Sequence, residues 1–263
     1  TTVSPTYLLE LQRNSGGLES LLRMEAQKSK GILNGIDAMV WNPSTDTYLT
    51  QHLEGDEVDT FKKVSKKVLL KRFNIKLDLP IITFIGRLVG EKGADLLPDL
   101  LLSAFHKDLP VSFLILGTGE PKLEERLRWL QHSLPGFFDV SLEYNEQLAH
   151  QLYAGSDFLL MPSRVEPCGL NQMYAMRYGT IPIVRTVGGL KDTVPDIDEP
   201  DGSGRGIRFD QFTVEDAVEA CSRAADLYAA EDAFRQIRSQ IMAVDLSWEQ
   251  AAKKYASLYS ELE

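Results

Sequence analysis

The sequence predicts an α/β fold, a Rossmann-like doubly wound parallel sheet with helices on both faces. From residue 80 onward, short runs rich in Ile, Val, Leu and Phe alternate with longer helical patterns. The short runs are continuously apolar, which is typical of strands buried on both faces. The 263 residues are 43% hydrophobic, which is enough for a core on each side of a sheet.

Six apolar runs are the predicted strands. Because helical patterns lie between them, they indicate repeated βα units, in which the strands are parallel and the helices cover both faces of the sheet. In chain order the runs are PIITFIG (80–86), VSFLILG (111–117), FDVSLEY (138–144), DFLLMP (157–162), TIPIVR (180–185) and RGIRF (205–209).

Several helical patterns have a recognisable start. Thr213 with Asp216, and Ser247 with Gln250, each place a hydroxyl before a helical pattern and a carboxylate or amide three residues later. Such a pair caps the free N–H groups of a first helical turn. We predict helices at about 18–28, 58–73, 213–228, 231–243 and 247–262.

Residues 1–37 differ in character from the rest of the chain. Their first seven residues, TTVSPTY, predict a short strand that leads into a turn, and a loop around Gly16 and Gly17 follows. The stretch 42–62 is polar and contains a cluster of acids, so we predict a linker that leads into the next helix.

Composition excludes several classes of protein. There are 38 acidic and 28 basic residues and the formal net charge is −10, which argues against a nucleic-acid partner. No apolar run is long enough to cross a bilayer, so no membrane partner is expected. Two cysteines are too few for a disulfide framework, and the four histidines lie too far apart for metal-ligand spacing. We therefore predict a globular protein of a reducing compartment, without a structural metal.

Polar residues follow the predicted strands at the edge of the sheet where ligands bind. In a parallel sheet, ligands collect beyond the carboxyl ends of the strands, where loops and helix N-termini converge. We expect the residues after different strands to meet in one site. In strand order they are Arg87 and Lys92, then Gly117, Thr118 and Gly119, then Tyr144, and then the segment 164–171.

Arg87 and Lys92 are candidates for holding a diphosphate. Arg offers a planar fork of donors and Lys a mobile point charge, and together they would stabilise a phosphate leaving group. The alternative is that both are solvated cations on a loop. The segment GRLVGEKG at 86–93 matches neither a P-loop nor the Gly-x-Gly-x-x-Gly dinucleotide pattern, which disfavours a dehydrogenase.

The stretch PSRVEPCGLNQMYAMRYGT at 162–180 predicts a turn that opens a helix. Gly169 lies where the helix should begin, and the free N–H groups of its first turn suit a phosphate that glycine lets approach closely. Glu166, just before the turn, would accept hydrogen bonds from sugar hydroxyls. The alternative is that Glu166 only caps the helix.

The other candidates also have structural alternatives. Tyr144 either stacks on a nucleobase or is a structural aromatic at a strand end. Gly188 and Gly189 of RTVGGLKD are candidate ligand contacts or simply turn residues. Core packing is the simpler interpretation for Cys168, Leu170, Met173 and Tyr174.

Four long motifs resemble those of bacterial glycogen synthases and plant-type starch synthases. These are retaining glucosyltransferases of the two-domain GT-B fold that use ADP-glucose. The signature resemblance lies in PSRVEPCGLNQMYAMRYGTIPIVRTVGGLKDTV, which starts at residue 162, and matching segments cover nearly the whole chain. Asn171 stands where many bacterial glycogen synthases carry Thr, which is closer to the starch synthases. The further matches are TVSPTY with GLESLL at 3–22, GILNGIDAMVWNPSTD at 31–46, and GRLVGEKGADLL at 86–97.

The resemblance implies a role for each candidate. Arg87 and Lys92 would bind the diphosphate of ADP and stabilise it as it leaves, and Glu166 would contact the transferred glucose. Tyr144 would stack on adenine. The remaining donor contacts would come from the nucleoside border Gly117, Thr118 and Gly119, the turn Cys168, Gly169, Leu170 and Asn171, and Gly188 with Gly189.

The resemblance also implies a domain division. Residues 1–37 would be the end of an N-terminal acceptor domain and the hinge, 38–246 the nucleotide-sugar domain, and 247–263 a helix that packs back toward the hinge. The rest of the N-terminal domain is absent, so we expect this chain to bind ADP or ADP-glucose weakly and to transfer glucose poorly. Its expected partners are ADP-glucose, an α-1,4-glucan and that missing domain.

Two alternative functions remain at this point. One is a non-catalytic module that binds a nucleotide sugar or a glucan, and the other is a UDP-glucose-dependent GT-B enzyme. The leading interpretation needs no cofactor besides its substrate. The family implies the cytoplasm for a bacterial protein and the plastid stroma for a plant or algal one.

Overall fold

A six-stranded parallel sheet forms the centre of the protein. The computed structural model describes residues 1–76 and 78–261. The strand order is β3-β2-β1-β4-β5-β6, and every neighbouring pair is parallel. All six predicted strands, and with them the predicted fold class, are confirmed. The strands are β1 (Ile81–Ile85), β2 (Ser112–Leu116), β3 (Phe138–Ser141), β4 (Phe158–Met161), β5 (Ile181–Arg185) and β6 (Ile207–Phe209).

Helices cover both faces of this sheet. One apolar cluster packs α4, α5, α9 and α10 against one face, and two others pack α3, α6 and α8 against the opposite face. The helices are α1 (Pro5–Leu11), α2 (Glu19–Met24), α3 (Val58–Arg72), α4 (Leu97–His106), α5 (Pro121–Ser133), α6 (Glu146–Gly155), α7 (Asn171–Arg177), α8 (Gly188–Thr193), α9 (Val214–Ala229), α10 (Glu231–Met242) and α11 (Trp248–Ser260).

The strand order reverses direction between β1 and β4. After β1 the sheet grows outward through β2 and β3, and after β4 it grows the other way through β5 and β6. The loops on the two sides of such a reversal diverge and leave a crevice at the carboxyl ends of the two central strands. The fold therefore provides a cleft where the candidate residues were expected to meet.

The prediction for the first seven residues is wrong. Only Thr2 makes a strand-like bridge, to Gly31, and the chain then forms α1. Ser4 caps this helix by accepting a hydrogen bond from the Tyr7 N–H, and Pro5 occupies its first turn, where a missing N–H costs nothing. A Ser-Pro pair therefore starts a helix here and does not end a strand.

The segment 42–57 is not the free linker that its polarity predicted. The buried Asp46 accepts a hydrogen bond from the Tyr178 hydroxyl, and its carboxylate lies 2.7 Å from His150 Nδ1. Most acids of this segment are exposed, so its composition gave no sign that the carboxylate of Asp46 is buried. The segment is thus bound tightly to α6 and to the end of α7, and only afterwards leads into α3.

One predicted helix cap is present and the other is not. Thr213 accepts from the Asp216 N–H at the start of α9, as predicted. Ser247 makes no side-chain cap, because Asp245 takes that position by accepting from the Ser247 N–H and from Gln250 Nε2. Helix α11 still begins where predicted, and residues 262 and 263 of the predicted C-terminal segment lie outside the described residues.

The first residues of the chain dock on its last third. Thr6 donates to Asp192 through both its N–H and its hydroxyl, and Glu10 accepts a hydrogen bond from the Gly188 N–H. Ile36 forms a parallel bridge with Ser247, next to the start of α11. These contacts do not test the predicted division into domains, which stays a prediction.

The described residues also bear on membranes and metals. No helix among them combines the length and hydrophobicity that a bilayer crossing requires. In the same residues, no group of His, Cys, Asp and Glu side chains is arranged to hold a metal ion. Cys168 and Cys221 are both buried and free.

Candidate functional site

Two adjoining cavities open at the carboxyl ends of the central strands. Their volumes are about 360 and 300 Å³. We call the first the charged cavity, because Arg87, Lys92 and Glu166 line it, and the second the aromatic cavity, because Trp41, Tyr144, Tyr153 and Tyr174 line it. The two share a boundary formed by Ile85, Gly86, Arg87 and Asn171.

Lys92 and Glu166 form an ion pair in the charged cavity. Lys92 Nζ lies 2.7 and 2.9 Å from the two carboxylate oxygens of Glu166, and Ser163 donates its hydroxyl to one of them at 3.1 Å. Glu166 is 6% exposed, whereas Lys92 reaches the cavity from the β1–α4 loop. Within the described residues Lys92 Nζ has no acceptor other than Glu166, so an entering anion could share it.

Arg87 stands at the junction of the two cavities with its guanidinium largely in solvent. Among the described residues its guanidinium pairs only with Glu91, four residues later, at 3.5 Å. An exposed pair at this distance is worth little. The Arg87 side chain is therefore free to turn toward a ligand that lies across both cavities.

The turn before α7 differs in detail from its prediction. The helix begins at Asn171, two residues later than expected, and Gly169 takes a left-handed φ of 72°. Gln172 Nε2 pins this turn by donating to Cys168 O, Gly169 O and Thr193 Oγ1. The sequence reasoning missed this buried amide, although a Gln directly after the turn was visible in the motif.

Cys168 and Leu170 on this turn differ from one another. Cys168 is buried, and burial is the main cause that raises the pKa of its thiol above the ordinary value. A thiol that stays protonated is a poor nucleophile, so Cys168 is a packing residue here. Leu170, expected in the core, is instead 36% exposed and lines the charged cavity.

Asn171 lies between the two cavities. Its side-chain Nδ2 donates to Ile85 O at the end of β1, at 2.7 Å. This bond ties the first residue of α7 to the central strand and keeps the side chain on the boundary of both cavities. Asn171, which made the motif resemble the starch-synthase form, is therefore positioned by a hydrogen bond within the chain and does not need a ligand to fix it.

The aromatic cavity combines predicted and missed residues. Tyr144 is 86% exposed at its mouth, where its ring can stack on a planar ligand. Gly117 and Thr118 line the cavity, whereas Gly119 lies outside both linings, and the predicted contact of all three with a nucleoside stays a prediction. Trp41 was missed because it lies far before β1 in the chain, although it belongs to the GILNGIDAMVWNPSTD motif.

The loops after β1 and β2 pass directly beside each other. The Leu88 N–H donates to Thr118 O at 2.9 Å, and a Cβ added to Gly117 would collide with Gly86 O. Only glycine allows this approach. Glu124 accepts hydrogen bonds from the Thr118 hydroxyl and the Gly119 N–H, so those two donors already have a partner.

Gly188 and Gly189 lie outside both cavity linings but behind Glu166. The Gly189 N–H donates to Glu166 O at 3.0 Å, and a Cβ on Gly188 would collide with that same oxygen. Glu10 holds the Gly188 N–H. In this structure the pair supports the backbone of Glu166, and its predicted contact with substrate stays a prediction.

A family model matches the region that builds this cleft. The model of glycosyl transferases group 1 covers residues 65–238, about two thirds of the chain and all six strands. The chain belongs to the group 1 glycosyl transferases. The residues that line the two cavities lie inside the matched region, with the exception of Trp41, which precedes it.

Relatives of this group 1 glycosyl transferase include curated glycogen synthases. The glycogen synthase of Flavobacterium johnsoniae is 46% identical over 263 residues, which is 99% of this chain and 54% of the relative. That of Bacillus cereus is 42% identical over 266 residues, 100% of this chain and 55% of the relative. The chain thus spans about half the length of the curated relatives it matches.

Two solved structures are similar to this chain. The catalytic domain of starch synthase IV from Arabidopsis thaliana, bound to ADP and acarbose, superposes with a TM-score of 0.89 at 34% identity, over 99% of this chain and 55% of that one. Sucrose-phosphate synthase from Thermosynechococcus elongatus matches with a TM-score of 0.63 at 22% identity, over 99% and 57% of the two chains, and shows the fold alone.

Proposed function

We propose that this chain is the donor-binding half of a retaining glucosyltransferase, which transfers glucose from ADP-glucose to the non-reducing end of an α-1,4-glucan. The observation that carries the proposal is the side-by-side arrangement of a charged and an aromatic cavity with Arg87 between them. A nucleotide sugar has the same sequence of parts: a sugar, a diphosphate and a nucleoside. The similarity to glycogen synthases and to a starch synthase bound to ADP supports this choice of donor and acceptor.

In this proposal the charged cavity receives the glucose and the diphosphate. The bond between the glucose anomeric carbon and the diphosphate oxygen breaks, and negative charge grows on the leaving phosphate. Arg87 and Lys92 are the cations that would stabilise that charge, because cations placed beside developing negative charge lower the energy of the transition state. Only an interaction that strengthens as the bond breaks accelerates the reaction.

Glu166 has two tasks in the proposed reaction. Its carboxylate would accept hydrogen bonds from glucose hydroxyls, and it holds Lys92 in the cavity when no donor is bound. When a diphosphate enters, Lys92 is shared between two anions. Charge-assisted hydrogen bonds of this kind are shorter and about twice as strong as neutral ones.

The acceptor glucan is expected to need more protein than this chain supplies. The chain spans about half of each relative, and both cavities are open to solvent on the side away from the sheet. We therefore infer that the chain binds the donor weakly and elongates glucans poorly. Rapid elongation of a glucan primer by the purified chain would contradict this part.

Calorimetry with ADP, UDP and ADP-glucose tests the proposal. ADP should bind more tightly than UDP, and Arg87→Ala and Lys92→Ala should each weaken ADP about 10-fold or more, since a hydrogen bond to a charged group contributes about 1.5–3 kcal/mol. Lys67→Ala, an exposed cation on α3 at the other edge of the sheet, is the matched control and should change nothing.

The same titrations can contradict the proposal. If the chain binds UDP more tightly than ADP, the proposed donor would be wrong and UDP-glucose would be the better candidate. Equal ADP binding by the wild type and both variants would remove Arg87 and Lys92 from the site. The proposal includes no metal or other cofactor, so an excess of EDTA should leave the dissociation constants unchanged.

A further inference from the structure

Trp41 is clamped between two other aromatic rings. Its indole lies parallel to the His150 ring, with the ring centroids 4.0 Å apart and an angle of 13° between the planes. It is stacked in the same way on Tyr174, at 3.6 Å and 14°. Because His150 and Tyr174 cannot share one face of the indole at these distances, they cover its opposite faces.

This clamped indole lines the aromatic cavity. With both faces covered, only an edge of Trp41 can meet a ligand there. Tyr153 and Tyr178 also meet the indole at angles of 81°, so Trp41 has little room to turn. A side chain held in this way acts as a fixed wall rather than as a stacking partner.

A buried carboxylate holds the clamp from behind. Asp46, five residues after Trp41, lies 2.7 Å from His150 Nδ1 and accepts the Tyr178 hydroxyl. Burial alone would raise the pKa of Asp46, but the hydrogen bonds from His150 and Tyr178 outweigh it and keep that pKa below the ordinary value. The carboxylate therefore stays charged and keeps His150 against the indole.

The cavity lined by Trp41 is also lined by an exposed aromatic residue, Tyr144. Tyr144 is almost fully exposed at the mouth of the cavity, whereas Trp41 is partly buried on α6 and α7. Tyr174 of the clamp lies one helical turn after Asn171, which bounds both cavities. A planar group that stacks on Tyr144 could also contact the edge of Trp41 in the same cavity. Because the clamp fixes Trp41, this contact would fix the planar group relative to Arg87 and Lys92.

We propose that Trp41 is a positioning residue for the nucleobase, whose clamped indole sets the depth of the aromatic cavity, and that Asp46 acts through it by fixing the His150 side of the clamp. This inference rests on the proposed function only in requiring that the aromatic cavity takes a nucleoside. It assigns a binding role to a residue outside the region matched by the family model.

The test compares a ligand that has a nucleoside with one that lacks it. Dissociation constants for ADP and for pyrophosphate are measured by calorimetry on the 263-residue chain and on Trp41→Ala, Trp41→Phe and Asp46→Asn. Trp41→Ala should weaken ADP about 10-fold, or about 1.4 kcal/mol, and leave pyrophosphate within about 2-fold, because only ADP has a base that meets the indole. Trp41→Phe and Asp46→Asn should give smaller losses in the same direction.

Trp248→Ala is the matched control. Trp248 is half exposed and belongs to neither cavity, so its removal should change neither constant. Equal weakening of ADP and pyrophosphate binding by Trp41→Ala would indicate a purely structural role. Unchanged ADP binding would show that the nucleobase does not contact Trp41. Either result overturns the inference.

Fluorescence keeps the inference testable if Trp41→Ala does not fold. The chain has three tryptophans, so Trp129→Phe combined with Trp248→Phe leaves Trp41 as the single reporter. Saturating ADP should shift or quench its emission, and pyrophosphate should not. No change with ADP overturns the inference.

These results also separate the inference from the proposed function. If the wild type prefers UDP, the proposed donor is wrong, and the Trp41 comparison is made with UDP and pyrophosphate. If the wild type prefers ADP and Trp41→Ala keeps full affinity, the proposed donor stands and the role of Trp41 is wrong. If pyrophosphate binds but no nucleotide does, both fail.

Discussion

Two lysine–carboxylate pairs lie at opposite edges of the same sheet. Lys66 and Asp157 are 2.8 Å apart at the edge where β1 and β4 begin, and Lys92 and Glu166 are 2.7 Å apart at the edge where they end. The two carboxylates are almost equally buried, with side-chain exposures of 7% and 8%. Only the second pair belongs to the proposed donor site.

The two pairs differ in how completely their hydrogen-bonding groups are used. Lys66 also donates to Leu79 O, and Asp157 also binds Arg238 and the Ile81 N–H. Lys92 Nζ, by contrast, donates to Glu166 alone in the part of the chain that the structure describes. A lysine whose donors are all used by the fold is structural, whereas one with a donor to spare can still bind a ligand.

Cavity size would have led to the opposite conclusion. The cavity beside Lys66 and Asp157 has a volume of about 540 Å³, larger than the charged cavity at about 360 Å³. It is also beside Lys62, whose pKa burial lowers well below the ordinary value, helped by the positive charge of Arg238. The proposed site is thus chosen on unused hydrogen-bonding capacity and not on cavity volume or on a shifted pKa.

The largest expected effect comes from removing the charge of Asp157. Asp157→Asn leaves Lys66 and Arg238 without their shared carboxylate in a buried site, so the free energy of unfolding should fall by about 3–5 kcal/mol. Urea unfolding measures it. Asp99→Asn, which breaks an exposed pair with Arg126, is the control and should cost about 1 kcal/mol or less. Equal losses in the two variants would contradict the comparison.

The same change at the other edge should alter binding more than stability. Glu166→Gln releases Lys92 from a competing carboxylate, so ADP should bind about 10-fold more tightly, or about 1.4 kcal/mol. The affinity for ADP-glucose should rise less than the affinity for ADP, because the amide that replaces Glu166 is a weaker acceptor for the glucose hydroxyls. Calorimetry with both ligands measures this, and weaker ADP binding by a folded variant would show that Glu166 does not compete with the diphosphate.

A smaller loss is expected from Tyr144→Ala. Stacking of a base on an aromatic side chain contributes about 1 kcal/mol or somewhat more, so ADP should weaken about 5-fold while pyrophosphate is unaffected. Trp129→Ala, another exposed aromatic residue away from both cavities, should leave ADP binding unchanged. If pyrophosphate weakens as well, Tyr144 supports the loop rather than the base.

The most gradual effect is the pH dependence of stability that Lys62 causes. Its pKa in the folded chain lies below that of an unfolded lysine, so between these two values the unfolded chain binds more protons. The free energy of unfolding therefore rises with pH in this window, and Lys62→Met should lack this rise. The free energy of unfolding of the wild type, minus that of the variant, should therefore rise as the pH approaches the lysine reference pKa of ~10.4. A constant difference would mean that Lys62 is not perturbed by burial.

Continuous apolar runs were sufficient to place all six strands, because strands in a doubly wound parallel sheet are buried on both faces. Local patterns were less reliable where long-range contacts decide the structure. The polar segment 42–57 contains one buried carboxylate that binds two side chains more than 100 residues away. Periodicity within a segment carries no information about such partners.

The candidate site shows the same limit. The rule that ligands bind beyond the carboxyl ends of parallel strands brought Arg87, Lys92 and Glu166 to one cavity. It could not show that Lys92 and Glu166 already bind each other, because rotamers decide that contact. Nor could it place Trp41, which reaches the aromatic cavity from a segment that precedes the sheet.

The docking of α1 on α8 has a consequence for how the chain is made. Thr6 and Asp192 are 186 residues apart, so a ribosome that adds about 5–20 residues per second needs roughly 10–40 s to supply the partner. Until then α1 has nothing to dock on, and β6, which follows Asp192 in the chain, has not been made either. We expect contacts between such distant residues to be absent from the folding transition state, and such contacts slow unfolding without changing the folding rate. The Thr6–Asp192 bonds should therefore prolong the lifetime of the folded chain without shortening the time it takes to fold.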